Sequence, residues 1–178
     1  MYLTVFYLIR HGEPNWAFKD ERNLQGALRD FVPLTGFGVR QAEQVIYNHK
    51  HLENCDLILS SPYTRSLQTA AYIKRNIGLP LKVEFDLHEW TPDNFQAPGI
   101  NEIQELMKDY TKHNGVYPPG ESKLWESKES VLKRVINVLD RYLDKSKVIV
   151  VCHSMVITTL LELKLEVEFC GVFEYEII

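Results

Sequence analysis

Residues 55–78 read CDLILSSPYTRSLQTAAYIKRNIG. Leu57-Ile58-Leu59 has no polar break, as expected of a short strand buried on both faces. The chain then passes through Ser60-Ser61 to Pro62, which suits the first turn of a helix, and Gly78 marks that helix's stop. A buried strand feeding a helix through a short polar joint is the repeating grammar of an α/β protein.

The same grammar extends in both directions. Residues 2–9 form an almost purely apolar strand, and LTGFGVRQAEQVIYNHKHL brings Val39, Ala42, Val45, Ile46 and His49 to helical spacing after a Thr35-Gly36 start. LKVEF at 81–85 reads as a third strand. Between Ser130 and Asp144, Val131, Leu132, Val135, Ile136, Leu139, Tyr142 and Leu143 mark an amphipathic helix. KVIVVC is another buried strand, SMVITTLLEL a helix and GVFEYEII a closing strand. The segment 86–125 has weaker periodicity, with a helix near 100–113, and reads as a cover over the rest. The expected fold is a three-layer α/β/α sandwich with a mostly parallel central sheet, in one domain spanning 1–178.

Composition narrows the function classes. The chain has 178 residues, 45% of them hydrophobic, and a net charge of −4, which offers no pull toward nucleic acid or an anionic membrane. MYLTVFYLI lacks a charged leader and cleavage site, no apolar run is long enough to span a bilayer, and Cys55, Cys152 and Cys170 match neither a disulfide framework nor a zinc ribbon. A cytoplasmic protein is expected, without cofactor or metal, and its oligomeric state is left open.

In parallel sheets, ligands bind beyond the carboxyl ends of the strands. Three buried strands here end in polar groups: Arg10-His11, Ser60-Ser61 followed by Arg65, and His153-Ser154. Two imidazoles and two guanidiniums at one edge make a local positive site in an acidic protein. Its natural guest is a dianion, because the guanidinium fork matches phosphate oxygens and helix starts add N–H donors. A neutral imidazole can accept a phosphoryl group, and a carboxylic acid must then protonate the leaving alkoxide. Glu89 in FDLHEW is placed in sequence for that task.

These elements resemble the histidine phosphatase superfamily, also called phosphoglycerate mutase-like. LIRHGE, PLTGFGVRQA, SSPYTRSLQTA, DLHEW, PGES and VVCHS resemble its motifs in order. The resemblance implies His11 as phosphoryl acceptor, Arg10 and Arg65 as phosphate clamp, His153 as donor to the transferring group and Glu89 as general acid and base, with no metal in the step. Ser154 stands where the family usually has Gly and could lend a hydroxyl or N–H. Ala17 stands where many members have a phosphate-binding Asn, leaving Asn15 and Asn23 as substitutes, and the loop NLQGALRDFVPLT is longer than the family's spacing.

The expected function is hydrolysis of a small-molecule phosphate monoester. The alternatives are a phosphoglycerate-type mutase and a phospho-ligand binding protein without turnover. Only Lys108 and Lys112 supply cations between residues 90 and 120, which speaks against the mutase. Trp16, Phe18, Trp90, Phe95, Tyr117 and Trp125 read either as packing of a small cap or as an apolar rim for a larger leaving group, with Trp16 as the substrate contact. His49 and His51 fall on different faces of a helix end and read as surface, as do His88 and His113. Glu13 reads equally as structural or functional. Cys152 lacks the arginine that a Cys-x5-Arg loop requires, since residue 158 is Thr.

Overall fold

The structure is a computed structural model that describes residues 3–94, 96 and 100–178, with backbone only for 100 and 101. Among the described residues five strands, β1 (Thr4–Arg10), β2 (Leu57–Ser60), β3 (Leu81–Val83), β4 (Lys147–Cys152) and β5 (Val172–Ile177), form one sheet in the order β3-β2-β4-β1-β5. All neighbours are parallel except β5, which runs antiparallel to β1. Among the described residues six α-helices accompany them: α1 (Trp16–Glu21), α2 (Gly36–Asn48), α3 (Thr64–Ile77), α4 (Ile100–Lys112), α5 (Lys128–Leu139) and α6 (Ser154–Leu160).

Alternation along the strands separates the core into two layers, because successive side chains of a strand point to opposite faces. Phe6, Leu8, Leu57, Leu59, Val148 and Val150 pack against Val131, Val135 and Val138 of α5 and Val156 and Ile157 of α6. Tyr7, Ile9, Ile58, Ile149 and Val151 face the other way, onto Val45 and Ile46 of α2 and Ala70 and Ile73 of α3. The expected three-layer sandwich is what forms.

Local differences have plain causes. The strand expected over 81–85 stops at Val83, because Phe85–Leu87 turns into a 3-10 helix that carries the chain toward Glu89. The helix expected over 130–144 ends at Leu139 and tightens into a 3-10 turn over Asp140–Tyr142. Thr35 caps α2 as expected, its hydroxyl accepting from Gly38 N, and Gly78 closes α3 with φ of 72°. Within the covering segment, Trp90, Tyr110 and Trp125 join the first core layer, so cap packing accounts for Trp125; Phe95 lies outside the described residues. Among the described residues no helix is long and apolar enough to cross a membrane.

Register positions the site. Arg10 lies opposite Cys152, and Ser60 opposite Val151, so the carboxyl ends of β1, β4 and β2 finish level. His11 N then donates to Cys152 O at 3.1 Å and Ser61 N to Val151 O at 3.0 Å. Gly12 and Gly38 make the turn after β1 possible: a Cβ on Gly12 would lie 2.6 Å from Gly38 O, and one on Gly38 would strike Glu13 O.

Candidate active site

His11 is 5% exposed at the end of β1. Its Nδ1 lies 2.7 Å from Gly12 O, a partner that can only accept, so the ring proton is on Nδ1 and Nε2 carries the lone pair. Arg65 Nε, from the first turn of α3, donates to that Nε2 at 3.2 Å. Burial first, then Arg65 and Arg10, push the His11 imidazole down to about 3, keeping it neutral. Thr69 fixes both partners: its hydroxyl accepts from Gly12 N at 3.0 Å and donates to Arg65 O at 2.9 Å.

His153 stands beside His11, with ring centroids 5.1 Å apart, and is fully buried. Its Nε2 is 2.7 Å from Ser61 Oγ and 3.3 Å from Ser66 Oγ. Ser61 Oγ also accepts from Tyr63 N; with its O–H directed to His153 Nε2, the ring proton sits on Nδ1. That Nδ1 is buried and has no partner among the described residues, and neither has the buried Nε of Arg10. Burial and the Arg65 charge hold His153 well below the usual histidine range.

One terminal guanidinium nitrogen of Arg10 is held by the chain entering β5: it donates to Val167 O and lies 3.6 Å from Glu166, and the guanidinium covers the Phe169 ring at 4.0 Å. Glu89 follows the 3-10 turn after β3. Its Oε1 accepts from Trp90 N at 2.8 Å and its Oε2 from Met155 N, at the start of α6, at 3.4 Å. Desolvation nevertheless raises its carboxyl above the usual range. Arg134 holds the loop bearing Glu89 by donating to Asp86 O and His88 O while pairing with Glu126, which accepts from Thr91 N.

Arg10, His11, Arg65 and Glu89 line one cavity of about 660 Å³, whose walls include Trp16, Trp90, Ile103, Met107, Met155 and Phe169. The structure brings the five expected catalytic residues to one edge and places Trp16 on the wall. It does not bring Asn15, Asn23 or Ser154 into the lining. Asn15 is used as the cap of α1, its Oδ1 accepting from Phe18 N at 3.2 Å. Asn23 is exposed in a left-handed turn and accepts from Gln25, and Ser154 is the half-buried first residue of α6. His88, expected at the surface, is buried between Tyr63 and Phe85 with Nδ1 on Glu89 O. Glu13 is structural: it accepts from the Thr35 hydroxyl through Oε1 and from Thr35 N through its carbonyl. Burial raises the Cys152 thiol far out of reach as a nucleophile.

Residues 6–177 match the family model described as "Histidine phosphatase superfamily (branch 1)". The chain belongs to this family. It is 31% identical over 159 residues to the "Uncharacterized phosphatase PhoE" of Bacillus subtilis (strain 168), covering 89% of this chain and 76% of that protein. It is 31% identical over 122 residues to the "Probable phosphoglycerate mutase GpmB" of Escherichia coli (strain K12), covering 65% of this chain and 54% of that one. The crystal structure of a phosphoglycerate mutase from Bacillus anthracis str. Sterne superimposes with a TM-score of 0.72 over 99% of this chain and 88% of that one, at 22% identity, a likeness of fold.

Motif reading missed several residues that build this histidine phosphatase-like site. Asp30 and Tyr63 line the cavity beside Arg65, and Arg29 binds Asp93 with both terminal nitrogens, at 2.6 and 3.1 Å. The signal for Arg29 and Asp30 was an adjacent charge pair set among Ala27, Leu28, Phe31 and Val32; Tyr63 and Asp93 carried none.

Proposed function

We propose that this chain hydrolyses phosphate monoesters, without a metal in the step, through a phosphohistidine at His11 Nε2. The observation that carries this reading is the pair of buried, unpartnered nitrogens beside His11, Arg10 Nε and His153 Nδ1. A buried donor without an acceptor is costly, and a phosphoryl group on His11 would supply oxygens to both.

In the first step the Nε2 lone pair attacks phosphorus, the P–O bond to the leaving group breaks, and protonated Glu89 gives its proton to the departing oxygen. In the second, water attacks the phosphohistidine, Glu89 takes the proton from that water, and the N–P bond breaks to release phosphate. The guanidiniums and His153 stabilise the charge on the equatorial oxygens, where most of the acceleration of phosphoryl transfer originates.

A specific feature favours hydrolysis over mutase chemistry. Beyond Arg10 and Arg65, which serve the transferring group, the cations on the cavity wall have carboxylate partners: Lys19 with Asp20 and Arg29 with Asp93. A second phosphate or a substrate carboxylate would therefore meet paired charge, whereas Trp90, Ile103, Met107 and Met155 offer apolar surface to a carbon-rich leaving group.

The test is turnover of p-nitrophenyl phosphate and a panel of natural monoesters in EDTA, with wild type beside His11→Ala. Phosphate release by wild type alone supports the proposal. Inactivity of wild type until 2,3-bisphosphoglycerate and a phosphoglycerate are supplied would replace it with the mutase, and phosphate binding without any turnover would replace it with the binding protein.

A further inference from the structure

The Arg65 guanidinium has two kinds of partner. Its Nε faces His11, while both terminal nitrogens, NH1 and NH2, donate to a single oxygen of Asp30, at 3.2 and 3.3 Å. Those terminal nitrogens are the fork that a phosphoryl group on His11 Nε2 would use. A carboxylate therefore holds the phosphate-binding face of the arginine. Two anions cannot share one guanidinium edge in a partly desolvated cavity without strong repulsion.

We propose that Asp30 competes with the phosphoryl dianion for Arg65, so that seating the dianion is coupled to uptake of one proton from solvent by the Asp30 carboxylate. This rests on the reading that Arg65 and His11 form a phosphate seat. Asp30 is then a specificity-determining residue: ionised, it disfavours dianions on Arg65, and protonated, it turns from competitor into an O–H donor to a phosphoryl oxygen.

The surroundings suit such an exchange. Asp30 lies in a 3-10 turn (Gly26–Phe31), and only 13% of its side chain is exposed. The charged and titratable groups facing it are Arg29 on its own turn, at 4.0 Å, and Arg65 and Tyr63 at the start of α3. Beyond these stand His11 across Arg65, Asp93 across Arg29, Glu89 near Tyr63, and Lys19 and Asp20 on the same cavity wall. Burial raises the Asp30 carboxyl despite the opposing pull of Arg65, Arg29 and the Tyr63 hydroxyl. A nearby dianion would raise it further and draw in the proton.

The experiment is a titration with sulfate, a dianion throughout, followed by NMR between about pH 5 and about pH 8 for wild type, Asp30→Asn, Tyr63→Phe and Arg65→Ala. Asp30→Asn should bind sulfate at least about tenfold more tightly than wild type at the upper pH, the gap narrowing as pH falls. Tyr63→Phe keeps the carboxylate but removes the hydroxyl that pulls the Asp30 carboxyl down, so the midpoint of the wild-type pH dependence should move upward. An Asp30→Asn protein that binds no more tightly than wild type, or a Tyr63→Phe midpoint that stays put, overturns the coupling. Sulfate binding that survives in Arg65→Ala instead overturns the phosphate seat, and the coupling with it.

Discussion

Arg65 Nε donates to His11 Nε2 at 3.2 Å, from the first turn of the helix that follows β2 to the residue directly after β1. A cation beside a neutral imidazole keeps that ring from taking a proton and aims the same charge at whatever Nε2 attacks. Replacing Arg65 by Ala should therefore lower kcat/KM on aryl phosphates by about 100-fold or more, in line with loss of one preorganised donor at a reacting centre. Arg65→Lys should recover little, because an ammonium cannot reach His11 and the phosphoryl oxygens through a fixed fork. Steady-state kinetics on both variants checks this.

The pH profile of activity should reflect Glu89. His11 titrates at about 3, so the nucleophile is in its neutral form throughout the working range. Glu89, raised by burial, must be protonated to act on the leaving group, so turnover should decline as pH rises through its titration. Glu89→Gln should abolish turnover of alkyl phosphates while leaving phosphate affinity largely intact. Persistent turnover in that variant would remove Glu89 from the acid role.

Stability should fall in mild acid for a related reason. The folded state depresses His11 from 6.5 to about 3 and also lowers His153, so between those values the unfolded chain binds more protons at these two rings, an effect that the raised carboxyls of Glu89 and Asp30 oppose. The histidine contribution is thus complete above the unfolded value and is lost as pH falls below it. Thermal unfolding should show a lower Tm at about pH 5 than at about pH 7, with a shallower drop in His11→Gln.

Gly38→Ala should destabilise the protein by about 1–3 kcal/mol, since the added methyl strikes the Glu13 backbone and cannot be relieved by a rotamer change. The same shift displaces the turn that carries His11, so chemical denaturation and kcat should change together.

The cavity wall predicts substrate preference. Met107→Ser should raise KM for 1-naphthyl phosphate about three- to tenfold and leave glycerol phosphate nearly unchanged, because only the first leaving group reaches the apolar wall.

Much of this was legible in the residues. Uninterrupted apolar runs ending in Arg10-His11, Ser60-Ser61 and Cys152-His153 announce parallel strands that finish together, and register then brings their polar ends side by side. What was not legible depends on side chains that meet across long separations. Asp30 reaches Arg65 across 35 positions, and Arg134 reaches the loop bearing Glu89 across 46, with no periodic signal linking either pair. Asn15 was misread for the opposite reason. Its nearness to Ala17, where many members of the family have a phosphate-binding Asn, suggested the site, but a helix starts directly after it and local capping claims its side chain.

The most direct test of the account is to incubate wild type and Glu89→Gln with p-nitrophenyl phosphate in EDTA, quench in base, and map the phosphoryl group by mass spectrometry. The account predicts a phosphohistidine at His11 that is absent from His11→Asn. Phosphoryl transfer to any other residue, or undiminished turnover in His11→Asn, would contradict it.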